Sequence, residues 1–195
     1  MSKTISLRRG VPTHRLYINW CLESSLNVNR GDEEEYRVLT WLHNAVLCEV
    51  KELELVLKPK SGSAFSLPPS LIGSRSLEYL KVENLVTCFT DGIVKFLSYS
   101  SIGYSSLKCL RLSHVRIDES FGNWVSTCCK FLENLSLSWI KEIKSLIIDS
   151  SCLQGLHISS RDLCHLQVSA EILGWFTLFW KCDSPSNRTF QLSTP

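Results

Sequence analysis

One short pattern constrains this chain more than anything else in it: an apolar residue, two variable ones, an apolar residue, one variable, an apolar residue. It runs as Val50-Lys-Glu-Leu53-Glu-Leu55, Leu77-Glu-Tyr-Leu80-Lys-Val82, Leu107-Lys-Cys-Leu110-Arg-Leu112 and Leu132-Glu-Asn-Leu135-Ser-Leu137. It returns as Ile143-Lys-Ser-Leu146-Ile-Ile148, Leu153-Gln-Gly-Leu156-His-Ile158 and Leu163-Cys-His-Leu166-Gln-Val168. The alternating apolar residues fit a short strand with one buried face, because side chains switch sides at every residue. A lone strand of that length is not stable. Stacked in parallel on copies of itself, it buries its leucines in one continuous core.

Steps of 27, 30 and 25 residues separate Leu53, Leu80, Leu110 and Leu135, which leaves room for a return segment on the opposite side of each coil. Two returns read as helices. Asp32-Glu-Glu-Glu places acid where a helix N-terminus favours it, and Val38, Trp41, Leu42, Ala45 and Val46 then share one face. Phe121, Trp124, Val125 and Cys128 repeat that geometry. Ile93, Phe96 and Leu97 predict a shorter turn, and the prolines of Phe65-Ser-Leu-Pro-Pro-Ser exclude a regular helix there. After Leu135 the step shrinks, with Leu146, Leu156 and Leu166 following at 11, 10 and 10 residues. Two such half-steps make one thin coil, so the main sheet is predicted to pass from Leu135 to Leu156 while Leu146 and Leu166 lie on the back.

The expected fold is an α/β leucine-rich-repeat solenoid, with a parallel concave sheet and helices or extended segments on the convex side. Residues 1–45 read as an N-terminal strand, near Arg15 to Ile18, and a capping helix. Residues 46–170 carry the repeats. From Glu171 the pattern is read as failing, leaving 171–195 as a C-terminal cap or tail.

Composition narrows the function classes. Lys+Arg 21 against Asp+Glu 19 gives a net charge of only +2, and no basic run forms a footprint for nucleic acid. The longest apolar run, Ile172 to Trp180, is far shorter than the roughly 20 residues of a membrane span. The N-terminus turns polar before an apolar signal core develops, so a cytoplasmic or nuclear location is expected. Nine cysteines, an odd number without a CxxC, read as reduced packing residues.

No catalytic constellation stands out: there is no glycine-rich phosphate loop, GxSxG elbow or HExxH. The pair Asp118-Glu119 is explained by helix capping and dipole effects ahead of Phe121. Cys152, His157, Cys164 and His165 offer ligand chemistry, but the repeat sends them to different faces, so no metal and no cofactor is expected. Asn134-Leu-Ser and Asn187-Arg-Thr match the glycosylation sequon by coincidence in a chain without a secretory route. The informative surface is the outward face of the front strands. Candidate partner-binding residues there are Glu52, Glu54, Tyr79, Lys81, Arg111 and His157, extended past the strands by Glu83, His114 and Trp139. Their charge runs from acidic through basic to neutral, and Tyr79, Arg111 and Trp139 are of the types enriched in binding hot spots.

The order of the segments resembles the leucine-rich repeat region of plant F-box proteins, particularly those ending in an FBD domain. Trp41-Leu-His-Asn-Ala-Val, Val50-Lys-Glu-Leu-Glu-Leu, Phe65-Ser-Leu-Pro-Pro-Ser-Leu, Ser76-Leu-Glu-Tyr-Leu-Lys-Val, Ser106-Leu-Lys-Cys-Leu-Arg-Leu-Ser-His-Val and Cys128-Cys-Lys-Phe-Leu-Glu-Asn-Leu-Ser-Leu carry the likeness. The resemblance implies a non-catalytic module of the substrate-recognition type, serving a cullin–RING ubiquitin ligase and binding an unknown protein. Lys130 stands where such proteins tend to have proline, no F-box precedes the first strand, and no FBD region is recognisable. Adaptor binding is therefore not expected, and the chain reads as the recognition half of a longer design. A repeat fragment of another scaffold or immune-receptor-like protein, or a truncated product without function, are the alternative readings.

Overall fold

A computed structural model describes residues 13–21, 29–85, 92–98, 103–180 and 188–194. Seven front strands form one wholly parallel sheet: β1 (Arg15–Cys21), β2 (Glu52–Lys58), β4 (Tyr79–Asn84), β6 (Cys109–Ser113), β8 (Asn134–Ile140), β10 (Gly155–Ser160) and β12 (Trp175–Trp180). Strict in-register pairing stacks like on like. Leu16, Leu53, Leu80, Leu110, Leu135, Leu156 and Phe176 make one inward row, and Ile18, Leu55, Val82, Leu112, Leu137, Ile158 and Leu178 make the next. Every member up to Ile158 is buried. Full burial of such a side chain contributes about 1.5–3 kcal/mol, so the two rows are the main hydrophobic term of the fold.

The returns differ along the chain as the spacing predicts. Early coils return through α1 (Asn29–Leu47) and the single turn α2 (Pro69–Ile72). On α1, Val38, Leu42 and Ala45 are buried while Trp41 and Val46 pack partly against the core. Pro68 is extended and Pro69 opens α2, where its missing donor costs nothing. The proline segment is thus extended as expected through β3 (Ala64–Ser66), but it then forms one helical turn. The fourth coil returns through α3 (Phe121–Cys128), whose Phe121, Trp124 and Val125 are buried. Thereafter the helix is replaced by strands: β9 (Ser145–Ser150), β11 (His165–Ala170) and β13 (Thr189–Ser193) form a parallel back sheet, and α3 packs against β9.

Two expectations are corrected. Ile93 and Phe96 belong not to a turn but to β5 (Ile93–Phe96), the middle strand between β3 and β7 (Arg116–Ile117) in a small sheet at the corner of the early coils, and Leu97 lies just outside it. Its spacing of three suits one helical turn, but Val94 and Phe96 alternate into the core, which is strand periodicity. The repeat also does not fail at Glu171. Leu173-Gly-Trp-Phe176-Thr-Leu178 carries the same pattern ten residues after Leu163, and β12 and β13 add one more coil to both sheets. That coil is the least covered. Phe190 and Leu192 are 46% and 41% exposed, whereas their partners Leu166 and Val168 on β11 are 2% and 0%.

The seven described cysteines are free thiols. Only Cys129 is fully buried and Cys21 is exposed, so the reading of all of them as packing residues holds only in part.

Candidate functional site

The outward positions of the front sheet fall into cross-strand rows. One row runs Tyr17, Glu54, Lys81, Arg111, Ser136, His157, Thr177. The row before it runs Arg15, Glu52, Tyr79, Cys109, Asn134, Gly155, Trp175. Six of the nine predicted residues, Glu52, Glu54, Tyr79, Lys81, Arg111 and His157, therefore share one concave face, each exposed or half-buried. His114 sits just past β6, whereas Glu83 and Trp139 lie within β4 and β8 rather than beyond them.

The two halves of this face differ electrostatically. On the N-terminal side the charges satisfy each other. Arg15 hydrogen-bonds Glu54 and lies 3.6 Å from Glu52, and Lys81 pairs with Glu83 at 3.3 Å. The expected acidic end is thus neutralised by Arg15, a partner the sequence reading did not assign to the face. On the near lip, Glu78 bridges Lys51 and Lys108 at 3.0 Å each; their hydrogen bonds hold its carboxyl below the usual range. Such exposed pairs contribute little stability each, but they fix the lip's charge pattern.

Arg111 differs. Its guanidinium lies 5.7 Å from the Tyr79 ring centroid, and among the described residues no carboxylate is within ion-pair distance. Partial desolvation opposes its charge, yet the neighbouring Cys109, Tyr79 and Glu54 raise its pKa overall. Beside it opens a shallow concavity of about 330 Å³, lined by Arg111, Asn134, Ser136, Ser138, His157 and Trp175 among others. Trp175 lies flat against Gly155: a Cβ there would meet the indole at 2.2 Å, so glycine is what lets the ring settle on the sheet. Phe179 leans on His157 with ring centroids 6.0 Å apart.

At the C-terminal ends of β6 and β8, His114 and Trp139 stack almost parallel, 6° apart with centroids at 6.1 Å. Arg161 lies 5.3 Å over the Trp139 ring, so three successive coils contribute one planar group each. Both His114 and Trp139 have left-handed backbone, φ 54° and 55°, uncommon for residues of this size. For Trp139 the cause is a bulge: Ser159 pairs with Ser138 but Ser160 with Ile140, which leaves Trp139 as the extra residue. For His114 the N–H donates to Ser138 and the carbonyl accepts from the buried Asn84 amide at 3.4 Å. Partial desolvation and nearby Lys141 lower the His114 pKa against the pull of Glu83, which favours the neutral ring in the stack.

The remaining reactive groups serve the architecture. Asp118 accepts from the Ser98 N–H at 2.9 Å and from the Ser98 and Ser120 hydroxyls; these bonds outweigh burial and lower its pKa. Glu119 accepts from the N–H groups of Lys144 and Ser145, tying α3 to β9. Asp118 also accepts from the Ser120 N–H at 2.9 Å at the start of α3, so the pair both holds the helix entry and spans neighbouring coils, while Ser120 itself makes no side-chain cap. Burial pushes the Cys129 thiol up to about 12, which removes it as a nucleophile at neutral pH. His157 lies on the front, while His165 is on the back, hydrogen-bonded to Thr189. Among the described residues no group of three or more His, Cys, Asp and Glu side chains is placed to hold a metal ion. No described helix is long and apolar enough to cross a membrane. Asn187 of the second sequon lies outside the described residues.

Sequence reasoning missed Arg15, Tyr17 and Asn19 of β1, Trp175 and Phe179 of β12, and Arg161. The signal for β12 was present in Leu173-x-x-Phe176-x-Leu178; no signal ties Arg161 to Trp139.

No curated protein and no solved structure matches the chain significantly. A family model does, over residues 38–191, and its description is FBD-associated F-box protein At5g56370, LRR repeats. With the stacked coils and this match over most of its length, the chain belongs to the leucine-rich repeat family of FBD-associated F-box proteins.

Proposed function

We propose that the chain is a substrate-recognition module whose concave sheet holds a protein partner for a cullin–RING ubiquitin ligase, with ubiquitin transfer carried out by other subunits. The observation that carries the reading is the concave face itself. A parallel sheet presents Tyr79, Arg111, Trp139, Trp175 and Phe179 outward, while the paired acids Asp118 and Glu119 are committed to hydrogen bonds within the fold. Aromatic residues and arginine on a rigid surface lose little conformational entropy on binding and dominate interface energetics. Glu52, Glu54, Tyr79, Lys81, Arg111, His114, Trp139 and His157 are the proposed contact set, together with Trp175, whose exposed ring beside the concavity supports its inclusion. The module works without catalysis and without a cofactor, in the cytoplasm or nucleus. Docking on the ligase adaptor is not assigned to these coils; capture of a Skp-family adaptor by this chain alone would contradict that.

Affinity capture from cells with mass spectrometry, comparing wild type with Arg111→Glu, tests the reading. A partner retained by wild type and lost by the variant supports it. A partner set unchanged by Arg111→Glu, and equally by Trp175→Ser, contradicts it.

A further inference from the structure

The concave face is not uniform in what it asks of a partner. Twelve outward positions span β6, β8, β10 and β12, three on each strand from Cys109 to Phe179, and none is Asp or Glu. Their floor is small and hydroxyl-rich, as with Ser136, Ser138, Gly155 and Thr177, and aromatic rings at Trp175, Phe179 and Trp139 stand at its margins. Arg111 carries the unmatched charge at the edge of the concavity. The Tyr79 ring holds one side of the guanidinium and leaves its N–H edge free of any carboxylate among the described residues. At the far lip, Glu142 is taken by Arg116 at 2.5 Å, while Arg161 covers Trp139.

We propose that this C-terminal half of the concave face is a groove for an extended acidic segment of the partner protein, in which Arg111 receives one carboxylate and the Trp175 ring covers an adjacent apolar residue. The inference rests on the protein-binding reading and names the chemistry of its partner. Charge complementarity selects the occupant. An arginine fixed by stacking presents its planar fork to a carboxylate in a bidentate, charge-assisted pair. A basic segment would face Arg111 with no acid to answer it, and a neutral one would leave it desolvated and unpaired. One uncompensated cation matches one carboxylate. A phosphate, at about −1.5 to −2, calls for an arginine cluster, and the neighbouring Lys81 is already paired with Glu83. Small side chains on the floor let a backbone lie close to the sheet.

Selection of random twelve-residue peptides displayed against the full chain tests this, followed by affinity measurements on the best synthetic peptide. The expected result is enrichment of Asp or Glu at one position beside an apolar residue. Affinity should fall about tenfold or more on Arg111→Gln, on changing the peptide's acid to its amide, and partly on raising salt. A thermal melt of Arg111→Gln matching wild type shows that the loss is not unfolding. Selected peptides without acid enrichment, or ones bound equally by Arg111→Gln, overturn the proposal. If those peptides still lose binding with Trp175→Ser, the groove stands and only its acid preference falls. Selection of nothing at all counts against both readings. A phosphoserine peptide binding tenfold tighter than its glutamate counterpart would replace the carboxylate assignment.

Discussion

Gly122 brings α3 against the backbone of β9, and replacing it with alanine sets two effects of opposite sign against each other. In favour, alanine is better than glycine inside a helix by about 0.8–1.0 kcal/mol. Against, its Cβ would lie 2.2 Å from the Ile147 carbonyl oxygen and 3.0 Å from the Ile147 N and C atoms. All of these are backbone atoms, so no side chain can swing aside, and restoring ordinary contact requires the elements to part by about 1 Å. Because Phe121, Trp124 and Val125 are buried on the same helix, that displacement loosens the core beneath them. Overpacking of this kind costs about 1–3 kcal/mol, and a backbone obstacle belongs at the upper end. Gly122→Ala should therefore destabilise by about 1–2 kcal/mol net, lowering Tm by about 2–8 °C for a chain of this size. The adjacent Asn123 is exposed, so Asn123→Ala feels propensity alone and should leave Tm unchanged or slightly raised, by about 0.5 kcal/mol. Thermal melts by circular dichroism with urea midpoints decide it. If Gly122→Ala melts at or above wild type, the close packing of α3 on the back sheet is wrong.

Other consequences are equally direct. The Tyr104 hydroxyl is buried without a hydrogen-bond partner, so Tyr104→Phe should be neutral or stabilising by about 1 kcal/mol; a loss beyond that would reveal a partner. The Asp118 carboxyl is held below the ordinary aspartate value of 3.8, so its contribution is present above that pH and lost as pH falls through the folded pKa; Asp118→Asn should flatten the fall in urea midpoint in that acidic window. His114 is held below 6.5, so the unfolded chain takes up its proton first and stability declines as pH drops below about 6.5; His114→Gln should remove that step. Leu137→Ala, in a fully buried row, should cost about 2–5 kcal/mol, and Leu178→Ala in the open last coil distinctly less; equal costs would mean that β12 is better covered than it is here.

The repeat pattern made the front sheet legible because each Leu-x-x-Leu-x-Leu unit dictates both strand phase and stacking register. Leu135 and Leu156 align as neighbours, and Leu146 and Leu166 align on the back, as the shortened spacing requires. The short strand β5 was not legible, since an apolar pair three residues apart suits a helical turn as well as an alternating strand. β12 was obscured by its own hydrophobicity: Trp175 and Phe179, the outward residues, hide the alternation of Phe176 and Leu178. At the candidate face, which residues point outward followed from period two, but which charges cancel did not. Arg15 meets Glu52 and Glu54 only because β1 stacks on β2 across more than thirty residues of chain. The Trp139 bulge was invisible for a similar reason, because its left-handed backbone is imposed by pairing with β10 and is not one that a tryptophan chooses.

The central claim, that this chain binds protein through its concave sheet, is tested most directly by site-specific photocrosslinking in cells. A benzophenone side chain placed at Ser136, on the concave row beside Arg111, is compared with one at the exposed Gln167 on the back strand β11. The account predicts protein adducts from position 136, reduced by Arg111→Glu, and none above background from position 167. Adducts from position 167 alone, or equal adducts from both, would contradict it.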